Sequence, residues 1–178
     1  MKKIIIILLI TFGVAVLPTI FIDFNTDYLI KPALFPPKIL FPIVWTIIYI
    51  LMSISLYLSS ENDNDVYKVY GIQLILNSLW SPLFFLFKIY LFSTLELVVL
   101  ILFVSVMIFQ MHNKNKAAGY LQIPYFIWLL YALYLNVSIF ILNLAFFISR
   151  LLNSSFILFS NTNAFSFLIA SIFNAFSF

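Results

Sequence analysis

The sequence predicts an all-α membrane protein, built as a five-transmembrane-helix bundle with a proline-rich loop between helices 1 and 2. Of its 178 residues, 65% are hydrophobic and only 8% are charged, whereas soluble domains carry about 25% charged residues. The mean hydropathy is +1.15. Long uncharged runs recur along the chain, each near the ~20 apolar residues that cross a ~30 Å hydrocarbon core.

The first apolar run covers residues 3–22 and follows Lys2 and Lys3. A basic start before an apolar run is also typical of a secretory signal peptide. This run, however, is long for such a peptide, and its end, with Pro18-Thr19-Ile20, lacks a cleavage site of small residues. We therefore expect a retained first transmembrane helix.

The segment 23–40 is predicted to be an ordered loop. It contains four charged side chains and three prolines, Pro32, Pro36 and Pro37. Prolines spaced this closely interrupt a helix because each lacks a backbone N–H and clashes with the preceding turn. Since long loops on rigid scaffolds often carry binding groups, this loop is a candidate lid for a ligand site.

Four further spans are predicted, over residues 41–59, 66–87, 95–111 and from 117 to at least 143. Short polar turns separate them, among them the acidic run 61–65. We expect one bundle over residues 1–145.

Residues 146–178 are predicted to be a hydrophobic tail of low complexity. No charge follows Arg150, and the string Asn-Ala-Phe-Ser-Phe occurs at 163–167 and again at 174–178. A spacing of eleven residues is close to three helical turns, so a helix would place both copies on one face. The tail is expected to be an interfacial amphipathic helix or an extra hydrophobic hairpin.

Composition excludes several classes of site. The chain has no cysteine and one histidine, His112, so neither a metal site nor a His-based catalytic relay is expected. It has three glycines and no glycine-rich phosphate motif, and no cofactor is predicted. The net charge of +3 is scattered over single Lys and Arg residues, which does not favour nucleic acid as a partner.

Three of the predicted helices each carry a stripe of aromatic and amide side chains at helical spacing. These stripes are Trp45, Tyr49 and Met52; Gln73, Asn77 and Trp80; and Tyr125, Trp128, Ala132 and Asn136. One interpretation is helix packing, with amides hydrogen-bonded between helices. The other is a pocket in which aromatic rings stack on a flat apolar ligand and a few polar groups orient it. The stripes alone leave both open, and for the amides packing is favoured.

The sequence resembles the TspO/MBR family, which includes the translocator protein and the bacterial tryptophan-rich sensory proteins. The residues that match its motifs are Lys31-Pro32, Pro36-Pro37, Phe41, Val44-Trp45-Thr46, Tyr49, Met52, Gln73-Leu74, Asn77, Trp80-Ser81-Pro82, Phe84-Phe85, Leu95-Glu96, Pro124-Tyr125, Trp128, Ala132, Leu135-Asn136 and Asn143. They follow in the family's order and spacing over about residues 5 to 145.

The resemblance implies a five-helix bundle, often homodimeric, with a pocket below the first loop. In the family that pocket binds porphyrins such as protoporphyrin IX and, in some members, sterols or benzodiazepine-type drugs. Trp45 and Trp128 match the two tryptophans that some bacterial members need for light-dependent porphyrin breakdown. The other implied pocket residues are Tyr49, Asn77, Trp80, Tyr125 and Ala132, and the implied lid residues are Leu34, Pro36, Pro37 and Ile39.

The loop departs from the family pattern at two positions. The family usually has tryptophan where this chain has Leu34, and often where it has Ile39. Both substitutions keep the loop apolar but remove an indole N–H and a stacking plane. The sterol-recognition pattern of some animal members is also missing, because no Lys or Arg follows Tyr134 within five residues.

The leading hypothesis is therefore a multi-pass receptor or carrier for tetrapyrroles, protoporphyrin IX or haem, with a sensory or regulatory role in a bacterial cell membrane. A second hypothesis is a light- and oxygen-dependent porphyrin-degrading enzyme that uses Trp45 or Trp128. A third is a structural membrane partner whose pocket holds only lipid.

Overall fold

The computed structural model describes residues 2–60 and 64–160, and most of them lie in helices. The helices are α1 (Lys2–Val16), extended by a 3₁₀ turn (Leu17–Phe21); α2 (Leu40–Ser59); α3 (Asn64–Ser81), extended by a π-helical turn (Pro82–Leu86); α4 (Tyr90–Lys114); α5 (Lys116–Leu121); and α6 (Ile123–Ser160). Contacts divide the chain into a unit of residues 1–140 and a unit of residues 141–178.

Five helical segments in the described part of the chain are long and apolar enough to cross a membrane. They are Lys2–Phe21, Leu40–Ser59, Asn64–Leu86, Tyr90–Lys114 and Lys116–Leu152. The predicted fold class is confirmed, and the chain is a multi-pass integral membrane protein. Because lipid offers no hydrogen bonds, helices that satisfy their own backbone are the expected solution for such a chain.

Local sequence sets the ends of several helices. Pro18 lies at the start of the 3₁₀ turn, and Ile22 after it is already extended. Pro82 begins the π-helical turn, in which the Phe87 N–H donates to the Pro82 carbonyl at 2.9 Å. At both places the α-helix gives way to another helical geometry, because proline removes an i→i−4 hydrogen bond and crowds the preceding turn.

The connection between the fourth and fifth spans is shorter than the sequence predicts. Helix α4 continues to Lys114, so the turn is the single residue Asn115. The Asn115 N–H donates to the Met111 carbonyl at 2.8 Å, which finishes α4. The Asn115 side-chain oxygen accepts from the N–H groups of Ala117 and Ala118 at 2.9 and 3.3 Å, which begins α5. One asparagine therefore caps two helices.

The core of the first unit combines apolar side chains with small hydroxyl groups. Met52, Leu100 and Leu129 are fully buried. The Ser55 hydroxyl donates to the Ala118 carbonyl at 2.7 Å and so joins α2 to α5. Within a bilayer, such small polar residues allow helices to approach closely while their hydroxyls remain satisfied.

Several sequence expectations fall partly outside the described residues. In the second unit α6 continues to Ser160, which includes the first part of the predicted tail, and both copies of the repeated string lie outside the described residues. Residues 61–63 of the acidic run also lie outside them, while Asp65 forms an ion pair with Lys68 at 2.9 Å. The tail as a separate segment stays a prediction.

Candidate ligand-binding cavity

A cavity of about 480 Å³ lies within the first unit, beneath the loop that joins α1 to α2. This volume is in the range of sites that bind drug-sized ligands. Six residues that the sequence predicts for the pocket line this cavity together: Trp45, Tyr49, Asn77, Trp80, Trp128 and Ala132. The helical stripes on α2, α3 and α6 therefore meet at one place.

One side of the cavity is an aromatic wall from α2 and α6. The indole of Trp45 stacks on the ring of Tyr49, with centroids 5.3 Å apart and 26° between the planes. Trp128 meets Trp45 edge to face at 6.5 Å, and Phe41 contacts Trp128 in the same way at 6.0 Å. Rings locked in this manner offer rigid faces to a ligand at little conformational cost.

A second group of aromatic rings comes from the end of α3 and its π-helical turn. Trp80 stacks on Phe84 at 5.4 Å and meets Phe85 edge to face at 5.7 Å. Phe85 in turn contacts Phe24 of the loop at 4.9 Å. All four line the cavity. A π-helical turn inside a longer helix is often found at functional sites.

Tyr125 lies behind the first wall and does not line the cavity. It is 1% exposed and contacts Trp45 edge to face at 6.3 Å. Its hydroxyl donates to the side-chain oxygen of Gln73 at 3.1 Å and lies 3.4 Å from that of Asn77. The Asn77 amide donates to the Tyr49 hydroxyl at 3.3 Å. Tyr125 thus supports the wall from behind and orients the amide of Asn77.

Asn136 lies at the junction of α3, α4 and α6. Its side-chain oxygen accepts from the Ser93 hydroxyl at 3.0 Å and from the Trp80 indole N–H at 3.4 Å. Its amide donates to the Ala132 carbonyl one turn earlier at 3.0 Å. The side chain lines the cavity and is 1% exposed. Asn136 therefore holds Trp80 in position while packing the helices.

Replacing Asn136 with leucine is expected to lower the free energy of unfolding by about 1 kcal/mol, because interhelical hydrogen bonds in membranes average somewhat less than that and the half-buried indole N–H of Trp80 also loses its acceptor. Titration of the detergent-solubilised protein with a denaturing detergent measures this change. Asn113→Leu, at an exposed position of α4, is the matched control. Equal stabilities of the two variants would contradict the role of Asn136.

The loop residues that line the cavity differ from the lid residues that the sequence predicts. Leu34 and Ile39 are 67% and 68% exposed. Neither they nor Pro36 and Pro37 belong to the cavity lining, which the loop supplies through Phe24, Thr26, Phe35 and Lys38. The Phe35 N–H donates to the Pro32 carbonyl at 3.0 Å. Leu34 and Ile39 therefore face outward. Their sequence neighbours Phe35 and Lys38 face the cavity instead.

The backbone at Leu34 is nevertheless attached to the bundle. Its carbonyl accepts a hydrogen bond of 2.6 Å from the Tyr131 hydroxyl of α6. The Tyr131 ring also packs on Trp128 at 5.4 Å and stacks on Tyr134 at 6.3 Å. Leu34 therefore contributes to the lid through its main chain, which no residue-type pattern predicts.

A Tyr131→Phe variant is expected to loosen the loop, because it removes one hydrogen bond worth about 1 kcal/mol and keeps the ring. Amide hydrogen exchange over residues 22–39 should become faster by up to about fivefold if this bond limits opening. Tyr134→Phe keeps the Tyr131–Leu34 bond and serves as the control. Unchanged exchange in Tyr131→Phe would exclude this bond as an anchor of the loop.

Charged groups gather in the same loop. One carboxylate oxygen of Asp27 accepts from the Lys38 ammonium at 3.1 Å and from the Lys31 ammonium at 3.4 Å. Lys38, and then Lys31, lower the pKa of Asp27 below its ordinary value of 3.8. Since a lowered pKa favours the ionised form, these pairs persist at neutral pH and are lost only as the pH falls through that lowered pKa.

Comparison with known proteins places this architecture in a family. The model of the TspO/MBR family matches residues 5–142. A tryptophan-rich protein TspO of Archaeoglobus fulgidus is 38% identical over 117 residues, which cover 64% of this chain and 76% of that protein. Protein CrtK of Rhodobacter capsulatus is 37% identical over 123 residues, 66% of this chain and 77% of that protein.

A tryptophan-rich sensory protein of Cereibacter sphaeroides is 34% identical over 119 residues, which cover 66% of this chain and 75% of that protein. The region matched by the family model contains the loop and all the residues that line the cavity. It ends at residue 142, close to the boundary between the two units.

Proposed function

The chain belongs to the TspO/MBR family, and on this premise we propose that it is a membrane receptor or carrier that binds porphyrin-type tetrapyrroles in the cavity beneath the loop. Family membership supports a sensory or receptor role in the membrane. Protoporphyrin IX is the ligand we propose first, with haem as a related candidate. The output is a sensory or regulatory one in tetrapyrrole metabolism or stress.

The proposal rests on one observation: two groups of aromatic side chains line the same cavity. Trp45 and Tyr49 of α2 form one group with Trp128 of α6. Trp80 of α3 and Phe84 of the π-helical turn form the other. A tetrapyrrole is a large, flat, apolar ring system, which stacks favourably on indole and phenyl faces. The few polar groups of the cavity, such as Asn77, suit the orientation of such a ring.

Titration with protoporphyrin IX in the dark tests the proposal. We expect saturable quenching of tryptophan fluorescence in the detergent-solubilised protein, because Trp45, Trp80 and Trp128 all line the cavity. Trp128→Phe should weaken the quenching, since it removes one indole donor and leaves a smaller aromatic face at that position. Linear quenching without saturation, or an unchanged titration in Trp128→Phe, would contradict binding in this cavity.

A second candidate function is light-dependent porphyrin breakdown. It is favoured by the contact between Trp45 and Trp128, whose rings lie 6.5 Å apart on the same cavity. The chemistry would belong to the excited pigment and oxygen, with an indole as the redox-active neighbour. Illumination of the complex, followed by bleaching of the Soret band, separates this activity from binding. Equal bleaching of bound and free porphyrin would exclude it.

A structural role, with lipid as the only occupant, is the remaining alternative. Parallel titrations with haem and a sterol would distinguish it, because a lipid-filled cavity gives no saturable response to a tetrapyrrole. Association into a homodimer stays a prediction from the family, and the mass of the protein in detergent by light scattering tests it.

A further inference from the structure

Lys38 is the charged side chain of the cavity. Among the residues that the structure describes, no other lining residue carries a formal charge, and the rest of the lining is apolar or neutral polar. Lys38 precedes α2 in the loop, and its side chain is 61% exposed. Its ammonium therefore lies where the cavity meets water, at the loop end.

The charges around Lys38 leave this end of the cavity positive. Two ammonium groups, those of Lys31 and Lys38, share one carboxylate oxygen of Asp27. The Lys88 ammonium lies over the Tyr28 ring of the same loop at 4.4 Å. The loop's other carboxylate, that of Asp23, accepts the Asn25 N–H at 3.0 Å. Three cations and two carboxylates sum to one uncompensated positive charge.

We propose that Lys38 binds a carboxylate of the ligand, and that the ligand is an anionic amphiphile with a flat apolar body inside the cavity. This inference rests on the proposed function and adds the recognition of the ligand's charge to it. In the free protein Asp27 holds the ammonium of Lys38. In the complex the ligand's carboxylate takes the place of Asp27, and Lys31 remains as the partner of Asp27.

The orientation follows from the cost of burying charge. A carboxylate within the apolar cavity would lose its hydration without a paired cation, which is strongly unfavourable. At the loop end it keeps contact with water and gains a charge-assisted hydrogen bond. Protoporphyrin IX carries its two propionate groups on one edge of the ring. That edge therefore points to the loop, and the opposite edge points to Asn77 and Trp80.

The test compares protoporphyrin IX with its dimethyl ester, which has the same ring and no carboxylate. The ratio of the two dissociation constants is measured for the wild type, for Lys38→Gln and for the matched control Lys88→Gln, which removes a cation that lies over the Tyr28 ring rather than on Asp27. Partitioning of the two compounds into detergent cancels when these ratios are compared between proteins. We expect Lys38→Gln to weaken binding of the diacid about three- to tenfold, as for a charge-assisted hydrogen bond at a partly hydrated site. Binding of the ester should not change.

Two further variants sharpen the test. Lys38→Arg should keep the preference for the diacid because it keeps the cation. Asp27→Asn should tighten binding of the diacid, since it removes the competing carboxylate. If the Asp27–Lys38 pair served only to fold the loop, Asp27→Asn would instead weaken the binding of both compounds.

The outcomes separate this inference from the proposed function. The same diacid-to-ester ratio in the wild type and Lys38→Gln, or an equal loss in Lys88→Gln and Lys38→Gln, would overturn the role of Lys38 and leave tetrapyrrole binding intact. Saturable binding of neither compound would overturn the proposed function, and this inference with it.

Discussion

A Trp45→Ala variant is expected to bind protoporphyrin IX about 30-fold more weakly than the wild type, because a central, well-packed tryptophan typically contributes 2 kcal/mol or more to binding. The indole lines the cavity, stacks on Tyr49 and contacts Trp128 and Tyr125 edge to face. Its removal takes away one stacking plane and one of the rings that pack against Trp128. Saturation of tryptophan quenching, followed through Trp80 and Trp128, measures the affinity.

Two controls separate binding from folding in this experiment. Ile47→Ala truncates a side chain on the same helix that is 52% exposed and does not line the cavity, so its affinity should match the wild type. Trp45→Phe keeps an aromatic face and should lose less than the alanine variant. If Trp45→Ala binds porphyrin as tightly as Ile47→Ala does, the aromatic wall is not the binding surface.

Helical periodicity explains why so much of the site was predictable. Trp45 and Tyr49 are four residues apart, as are Gln73 and Asn77, and residues four apart share a helix face. In a membrane, an aromatic and amide face is oriented away from lipid, so stripes on different helices converge on the interior. The predicted helices and the meeting of their stripes follow from these two rules.

The same rules do not separate a lining side chain from the one behind it. Tyr125 shares a stripe with Trp128 and Ala132, yet it is 1% exposed and lies behind Trp45. A helix face about 100° wide presents its centre to one neighbour and its edge to another. Which residue reaches a cavity therefore depends on how the helices are rotated, and rotation is set by packing between residues distant in sequence.

The loop was the least predictable part of the site, because it has no period. Motif positions in the loop favoured Leu34 and Ile39, whereas Phe35 and Lys38 face the cavity. A loop side chain points where local turns send it, and the turn from Pro32 to Phe35 depends on hydrogen bonds that residue types alone do not specify. In the sequence, nothing distinguishes Lys38 from the other scattered Lys and Arg residues, so its position at the cavity could not be predicted.

Gly119 illustrates a constraint that no motif revealed, and it carries the largest expected loss of stability. It lies in α5, where a Cβ would come within 2.6 Å of the His112 Cβ and 2.9 Å of the His112 Cα. The second atom is backbone and cannot rotate away. Gly119→Ala is therefore expected to lower the free energy of unfolding by about 3 kcal/mol, the upper end for overpacking a tight contact. Denaturing-detergent titration measures it.

Gly71→Ala is the matched control, because a Cβ there meets no atom within 4 Å. In the middle of α3, alanine should leave stability unchanged or raise it by up to about 1 kcal/mol through helix propensity.

His112→Gly should reduce the cost of Gly119→Ala in a double-mutant cycle, since it removes the nearest Cβ. Full additivity in that cycle would contradict a contact between the His112 side chain and the added Cβ. The close approach matters for the cavity because α5 leads directly into α6, so a shift of α5 away from α4 displaces Trp128 from the wall it forms with Trp45.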